Sequence, residues 1–166
     1  MSPLFTSSIG LAMAIAPAAA TAQSMSDQSV ADRNKATVRA YLGEISERGN
    51  IAARELYFAP AVTFNGDGDL AAQLARIDAR RKAFSDQELV IEQQIAEGPW
   101  VATRVTYRGT HTGEFAGFPA TGRRVSYTGV AIDRLEDGKV VEMWHTVNLH
   151  LLMQQLAGDR GSQRKP

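Results

Sequence analysis

The sequence predicts an α+β domain in which helices come first and a strongly bent antiparallel sheet wraps over them. Three observations carry that prediction. Apolar residues recur at spacings of three and four in two early segments, as in amphipathic helices. From Val101 to Asn148 the chain becomes rich in Val, Thr and Tyr, side chains that fit a pleated, half-buried surface. Within that run, Asp137-Gly138 is a two-residue hairpin signal, because both turn positions need positive φ. Helices followed by strands and a closing helix segregate the helices to one face of the sheet. A sheet bent over helices in this way forms a cone-shaped barrel whose open mouth is a pocket.

The first residues are expected to lie outside the fold. Ile9 to Ala20 is apolar but too short to span a bilayer, and Ala20-Thr21-Ala22 has the small-x-small form of a cleavage site. Residues 1–22 therefore read as a secretory signal peptide, followed by a flexible stretch over 23–30 and a periplasmic or secreted domain over 31–158. The alternative is a start at Met25 and a cytoplasmic protein, since no Lys or Arg precedes the apolar run. From Ala31, the stripe Val30, Asn34, Val38, Tyr41, Leu42 and Ile45 makes a helix that Gly49 stops. Asn50 is placed to cap a second short helix through Phe58, ended by Pro60, and Ala61–Phe64 reads as a short strand. The turn Gly66–Asp69 leads into a third helix with Leu70, Leu74, Ile77, Arg81 and Phe84 on one stripe. Glu88–Ala96 alternates in part, as a strand does.

The central run divides into strands Val101–Arg108, Arg124–Leu135 and Val140–Asn148. A loop with Gly113, Gly117, Pro119 and Gly122 joins the first two. Leu149–Leu156 is a final helix, and 159–166 a polar tail expected to be disordered.

One domain fits the 166 residues. Lys+Arg and Asp+Glu are equal at 18 each, so net charge gives no reason to expect a nucleic-acid partner. The short runs Arg80-Arg81-Lys82 and Arg123-Arg124 read as solvated surface. The absence of cysteine excludes disulfides, thiol catalysis and thiolate metal sites. His111, His145 and His150 lack ligand-like spacing, so no metal site is expected.

The motifs Ala96-Glu97-Gly98, Gly109-Thr110-His111-Thr112-Gly113-Glu114-Phe115, Thr121-Gly122-Arg123 and Asp137-Gly138-Lys139 through Glu142 and Trp144 resemble the SnoaL-like polyketide cyclase (ester cyclase) family. That family belongs to the nuclear-transport-factor-2-like superfamily. The resemblance covers about Glu88 to Gly158 in detail and implies a cone-shaped α+β barrel that binds a hydrophobic small molecule. It implies a cofactor-free intramolecular aldol cyclisation of a polyketide ester, in which the protein folds the substrate and supplies a proton acceptor. The family acid typically lies four residues beyond the tryptophan matching Trp144. Here that residue is Asn148, whose amide cannot serve as a general base.

The candidate catalytic residues are therefore Asn148 and His145, and the candidate substrate-binding residues are Trp144, Arg104, His111 and Glu142. Strand alternation puts Glu142, Trp144, Thr146 and Asn148 on one face and Met143, His145 and Val147 on the other. If Trp144 lines the pocket, so does Asn148, and His145 points away; a bulge would reverse this. Asn148 otherwise fixes the strand end or caps the last helix, and Trp144 otherwise packs in the core. His145 is either the titratable group near the site or an outward histidine at a subunit interface. His111 either acts on a ligand or shapes its own loop. Arg104 and Tyr107 lie on opposite strand faces, so one of them sees the pocket, and Arg104 either binds an ester or pairs with Glu142 or Asp133. The uncovered sheet face, with Val141, Met143, His145 and Val147, suggests a homodimer or higher homo-oligomer. Two function classes emerge: a cofactor-independent cyclase, lyase or isomerase, or an exported binding protein that has lost the family acid.

Overall fold

The computed structural model describes residues 18–66 and 68–158, with only the backbone described over 18–26. The expected tail 159–166 and most of the expected signal segment lie outside the described residues. Helix α1 (Ala18–Tyr41) begins ahead of the expected domain boundary, so residues 23–30 are helical. The α1 axis continues through a π-helical turn, Leu42–Glu47. Its buried side carries Asn34, Val38, Tyr41, Leu42 and Ile45, five members of the expected stripe. Gly49 ends it at φ 73°, and a Cβ there would press on the Arg81 side chain at Nε. The positive φ favours glycine here, and any larger residue would also have to push the Arg81 side chain aside.

Asn50 does not cap the next element. Its side chain makes no capping bond and donates instead to Glu44 Oε2 at 3.2 Å. The chain then forms a 3₁₀ turn, Ile51–Ala53, and a single helical turn, α2 (Arg54–Tyr57). Strand β1 (Phe58–Phe64) begins at Phe58 and includes Pro60. As a sheet edge, β1 can tolerate a residue with no N–H. Asp69 caps α3 (Leu70–Ala83), its Oδ1 accepting from Ala72 N at 2.6 Å.

The remaining strands are β2 (Glu88–Glu97), β3 (Trp100–Thr110), β4 (Arg124–Glu136) and β5 (Lys139–Val147). The sheet order is β1-β5-β4-β3-β2. The three strands of the central run are adjacent and antiparallel as expected. The sheet as a whole is mixed, because β1 pairs parallel to β5. The chain leaves β1 through α3 and the β2–β4 meander, and returns to its side only with β5.

Alternation along β4 is strict: Val125, Tyr127, Ala131, Asp133 and Leu135 are buried, and the residues between them face outward. The inner row of β3 is Val101, Thr103, Val105, Tyr107 and Gly109, and buried His111 follows just beyond the strand. In β5, Val140 pairs with Leu135 and Glu142 with Arg134, which leaves Val141 as an extra residue. That bulge shifts the alternation by one, so Val140 and Met143 are both buried. Helices α1 and α3 and the closing helix α4 (Leu149–Ala157) cover the concave face, and the core lies between them and the sheet.

Candidate functional site

The cone holds two chambers that meet at a throat. The outer chamber, about 400 Å³, is lined by apolar Phe64, Ile77, Phe115, Val147, Leu149 and Leu152 and by polar Asn65, Gln73, Arg76, Arg80, Tyr127 and His145. The inner chamber, about 20 Å³, has room for about one water molecule. Tyr41, Ser46, Gln73, Arg80, Tyr107 and His145 are its polar lining. Gln73, Arg80 and His145 line both chambers. Among the described residues neither lining contains a carboxylate.

His145 faces into the cone, which corrects the expectation that it points away while Trp144 and Asn148 line the pocket. The Val141 bulge is the reason, since continuing the alternation from buried Val140 would have turned Trp144 inward. Asn65, at φ 50°, fixes the strand here. Its Oδ1 accepts from His145 N at 2.7 Å, and its Nδ2 donates to His145 O at 3.2 Å. A side chain thus continues the β1–β5 ladder beyond Phe64 and holds the backbone of His145. His145 Nε2 lies 3.3 Å from Tyr107 Oη. Burial, and then the Arg80 charge, push the imidazole pKa down to about 4, so the ring is neutral at pH 7.

Tyr107 and Tyr127 pair across β3 and β4 with ring centroids 5.2 Å apart. Burial raises both phenols, Tyr127 to about 12. The Arg80 guanidinium sits 4.4 Å from the Tyr107 ring centroid. Its Nε donates to Gln87 Oε1 at 2.9 Å and its Nη2 to Ser46 O at 3.3 Å. Arg80 is buried, so the reading of Arg80-Arg81-Lys82 as wholly solvated is corrected at its first residue. The inward face of α3 runs Gln73, Leu74, Ile77 and Arg80, one step away from the expected stripe through Arg81. The interval from Ile77 to Arg80 to Phe84 carried that signal.

The other candidates lie elsewhere. Trp144 is on the outer face, 45% exposed, and its Nε1 donates to Glu142 Oε1 at 2.7 Å. Glu142 is also on the outer face, paired with Arg134 at 3.0 Å. Arg104 is exposed on the outer face of β3, opposite Val130 of β4, and Tyr107 is the one of the two that sees the pocket. The expected pairing of Arg104 with Glu142 or Asp133 is replaced by Glu142–Arg134 and by Tyr41–Asp133.

Asn148 caps α4: its Oδ1 accepts from Leu151 N at 3.0 Å, and it is absent from both linings. Buried His111 packs on Phe84 and ties its loop, with Nδ1 accepting from Thr121 N–H at 3.3 Å and lying 3.1 Å from Thr121 Oγ1. Asp133 is fully buried, accepting from Tyr41 Oη at 2.9 Å. Sequence reasoning gave no role to Asn65, Gln73 or Arg80. Tyr127 was legible from the β4 alternation, as the inward partner of Tyr107.

The SnoaL-like polyketide cyclase family profile matches residues 36–156. The chain belongs to that family. Two curated relatives share a shorter stretch with this SnoaL-like protein. Aklanonic acid methyl ester cyclase DnrD of Streptomyces peucetius is 41% identical over 59 residues, 35% of this chain and 41% of DnrD. Nogalonic acid methyl ester cyclase of Streptomyces nogalater is 39% identical over 61 residues, 36% of this chain and 46% of that enzyme. The matched stretch therefore spans less than half the length of either relative.

Among solved structures, AclR of Streptomyces galilaeus, a hydroxylase candidate, superposes with a TM-score of 0.71 at 30% identity, covering 76% of this chain and 82% of AclR. IdmH of Streptomyces antibioticus, a polyketide cyclase candidate, gives 0.66 at 28% identity, covering 75% and 99%. The cone fold expected from the resemblance is the fold observed.

Proposed function

We propose that this protein is a cofactor-independent, cyclase-like enzyme that acts on a hydrophobic carbonyl compound, with His145 as its proton acceptor. The observation that carries this reading is the lining of the cone. His145 is the one histidine there, neutral at pH 7, and no carboxylate accompanies it among the described residues. In the proposed step, the imidazole takes a proton from a carbon flanked by carbonyls. The resulting enolate carbon forms a bond to a second carbonyl carbon of the same molecule, whose oxygen becomes an alkoxide. The imidazolium then returns its proton to that alkoxide. The lowered pKa makes the ring a weak acceptor in the first transfer and a strong donor in the last, and the chamber's apolar walls hold the chain in a reactive fold. The names of the ester-cyclase relatives support a substrate of this type.

A second reading, an exported binding protein without catalysis, is favoured by one observation. The residue at the family's acid position, Asn148, is committed to capping α4. The composition of residues 1–22 supports export in either case.

Turnover of a methyl-ester polyketide-like substrate by wild type and His145→Gln decides between the readings. The enzyme reading expects the variant to lose about a hundredfold or more in kcat, the usual contribution of a positioned general base. Absence of turnover in folded wild type favours the binding protein.

A homodimer joined by the outer face of the sheet is part of the proposal. Met143 and His145, expected on that face, turn inward. The apolar groups exposed there are instead Ile95, Ile132 and Trp144, in a row across neighbouring strands with Ala102 between them.

A further inference from the structure

Arg80 is a cation held inside the cone without a counter-charge. It forms no ion pair with any described residue, and its hydrogen-bond partners, Gln87 Oε1, Ser46 O and the Tyr107 hydroxyl, are neutral. The nearby buried acid does not supply the missing charge. Asp133 Oδ2 is bonded to Tyr41, and its Oδ1 has no partner. The remaining neighbours at the throat are Gln73 from the same helix, Tyr107 and Tyr127 from the sheet, and His145, whose ring is neutral at pH 7. A second cation, Arg76, lies one helical turn away in the outer lining, its guanidinium 5.8 Å from the Phe64 ring centroid. A buried, unpaired charge is strongly unfavourable unless a ligand completes it. A guanidinium carries five N–H donors, and Gln87, Ser46 and the Tyr107 hydroxyl, all neutral, do not use all of them.

We infer that the cone takes a hydrophobic carboxylate, its anionic oxygens on Arg80 at the throat and its carbon skeleton against Phe64, Phe115, Val147, Leu149 and Leu152 in the outer chamber. A carboxylate matches the planar donor geometry of guanidinium, and a low-dielectric wall strengthens the pairing. The match also distinguishes the free acid from its neutral ester or amide, which offer no charge to Arg80. Binding of an anion has a further consequence at the neighbouring ring. Arg80 is one of the two causes that depress His145, so neutralising it raises the basicity of His145. A substrate that carries a carboxylate apart from its reacting carbonyls would then activate the base of the reaction proposed above, which a neutral methyl ester would not.

The inference rests on reading the cone as the ligand pocket, but not on His145 chemistry. Its test uses the full chain and two probes of equal shape, 2-naphthoate and 2-naphthamide, in isothermal titration calorimetry at pH 7.5. Wild type is expected to bind the carboxylate about tenfold to a hundredfold more tightly than the amide, the range for hydrogen bonds to a charged group. Arg80→Met should abolish the preference, and Arg80→Lys should keep part of it.

The imidazole C–H resonances of His145 provide a second readout. Saturating 2-naphthoate should move their titration midpoint to higher pH in wild type, and 2-naphthamide should not. Equal affinity for the two probes, binding of neither, or an unmoved His145 midpoint overturns the inference. The wild-type measurements stand even where an Arg80 variant fails to fold. Loss of turnover in His145→Gln without carboxylate preference would leave the acid/base reading standing and remove this one. Carboxylate preference without turnover would do the reverse.

Discussion

Tyr41 Oη donates to Asp133 Oδ2 at 2.9 Å, while Asp133 Oδ1, equally buried, has no partner. One hydrogen bond does not replace the hydration of a carboxylate. Burial pushes the Asp133 pKa up to about 7 against the opposing effect of the Tyr41 bond. His145, 3.3 Å from the Tyr107 hydroxyl, has the opposite problem, a base whose protonation burial disfavours. The two groups make the stability of the fold depend on pH in opposite directions.

The first prediction comes from their signs. Between about pH 4 and 7 the unfolded chain has lost the Asp133 proton and the folded chain keeps it, so this group makes stability fall as pH rises. Between about pH 4 and 6.5 the unfolded chain has bound a proton at His145 and the folded chain has not, so this group makes stability rise with pH. Wild type should therefore show a shallow profile across that window. Asp133→Asn, which keeps an acceptor for Tyr41, should unmask the rising slope and be more stable than wild type at pH 8, by a few kcal/mol in order of magnitude. His145→Gln should unmask the falling slope. Urea denaturation at pH 4.5, 6 and 8 checks all three. Equal profiles for wild type and Asp133→Asn would mean that Asp133 has an ordinary pKa.

Backbone conformation carries the second prediction. Gly49→Ala should lower stability by about 1 kcal/mol or more, because φ 73° strains an L residue and the new Cβ would displace the Arg81 side chain. Thermal unfolding measures it. Gly138→Ala is the comparison, at φ 77° with nothing within 4 Å of a Cβ, and it should lose less.

Both the fold and its hairpin were legible because their signals are local. Asp137-Gly138 sets its turn through its own φ values, and β4 alternates without interruption across its full length. The site was less legible because one residue decided it. The Val141 bulge exchanges the two faces of β5, and a bulge leaves no composition signal in a run as uniform as Lys139–Val147. Every expectation tied to the Trp144 face moved with it, while the parity itself, Glu142 with Trp144 and Met143 with His145, was read correctly. Arg80 was missed for a different reason. In a basic triplet only packing against Tyr107 distinguishes the inward arginine from its solvated neighbours. The parallel pairing of β1 with β5 joins segments far apart in sequence, and nothing in either strand announces its partner.

The third prediction concerns the outer face. Ile132 pairs with Trp144 on one side and with Ala102 on the other, and both large side chains are more than 40% exposed. Contiguous exposed apolar groups of this kind mark association surfaces. Sedimentation at micromolar concentration should give a dimer for wild type and a monomer for Ile132→Lys, with the fold retained because the side chain of residue 132 lies on the outer face, away from the core. A wild-type monomer would remove the dimer from the proposal.

The last prediction concerns Asn148, the residue at the position where the sequence resemblance would place an acid. An aspartate in an apolar pocket would have its pKa raised above about 3.9 and would serve as a base. The observed surroundings argue otherwise. Asn148 caps α4 through Leu151 N–H, faces solvent, and lies outside the lining of both chambers. Asp is as good a cap as Asn, and the helix N-terminus favours its charge, so the new carboxylate should be ionised, held at the cap and turned away from substrate. Asn148→Asp is therefore expected to leave stability within about 0.5 kcal/mol of wild type. Its kcat should stay within about twofold of wild type, where His145→Gln loses about a hundredfold. The comparison needs one substrate and matched folded protein. A marked gain from Asn148→Asp would show that residue 148 reaches the substrate after all, and would move the proton acceptor from His145 to the strand end.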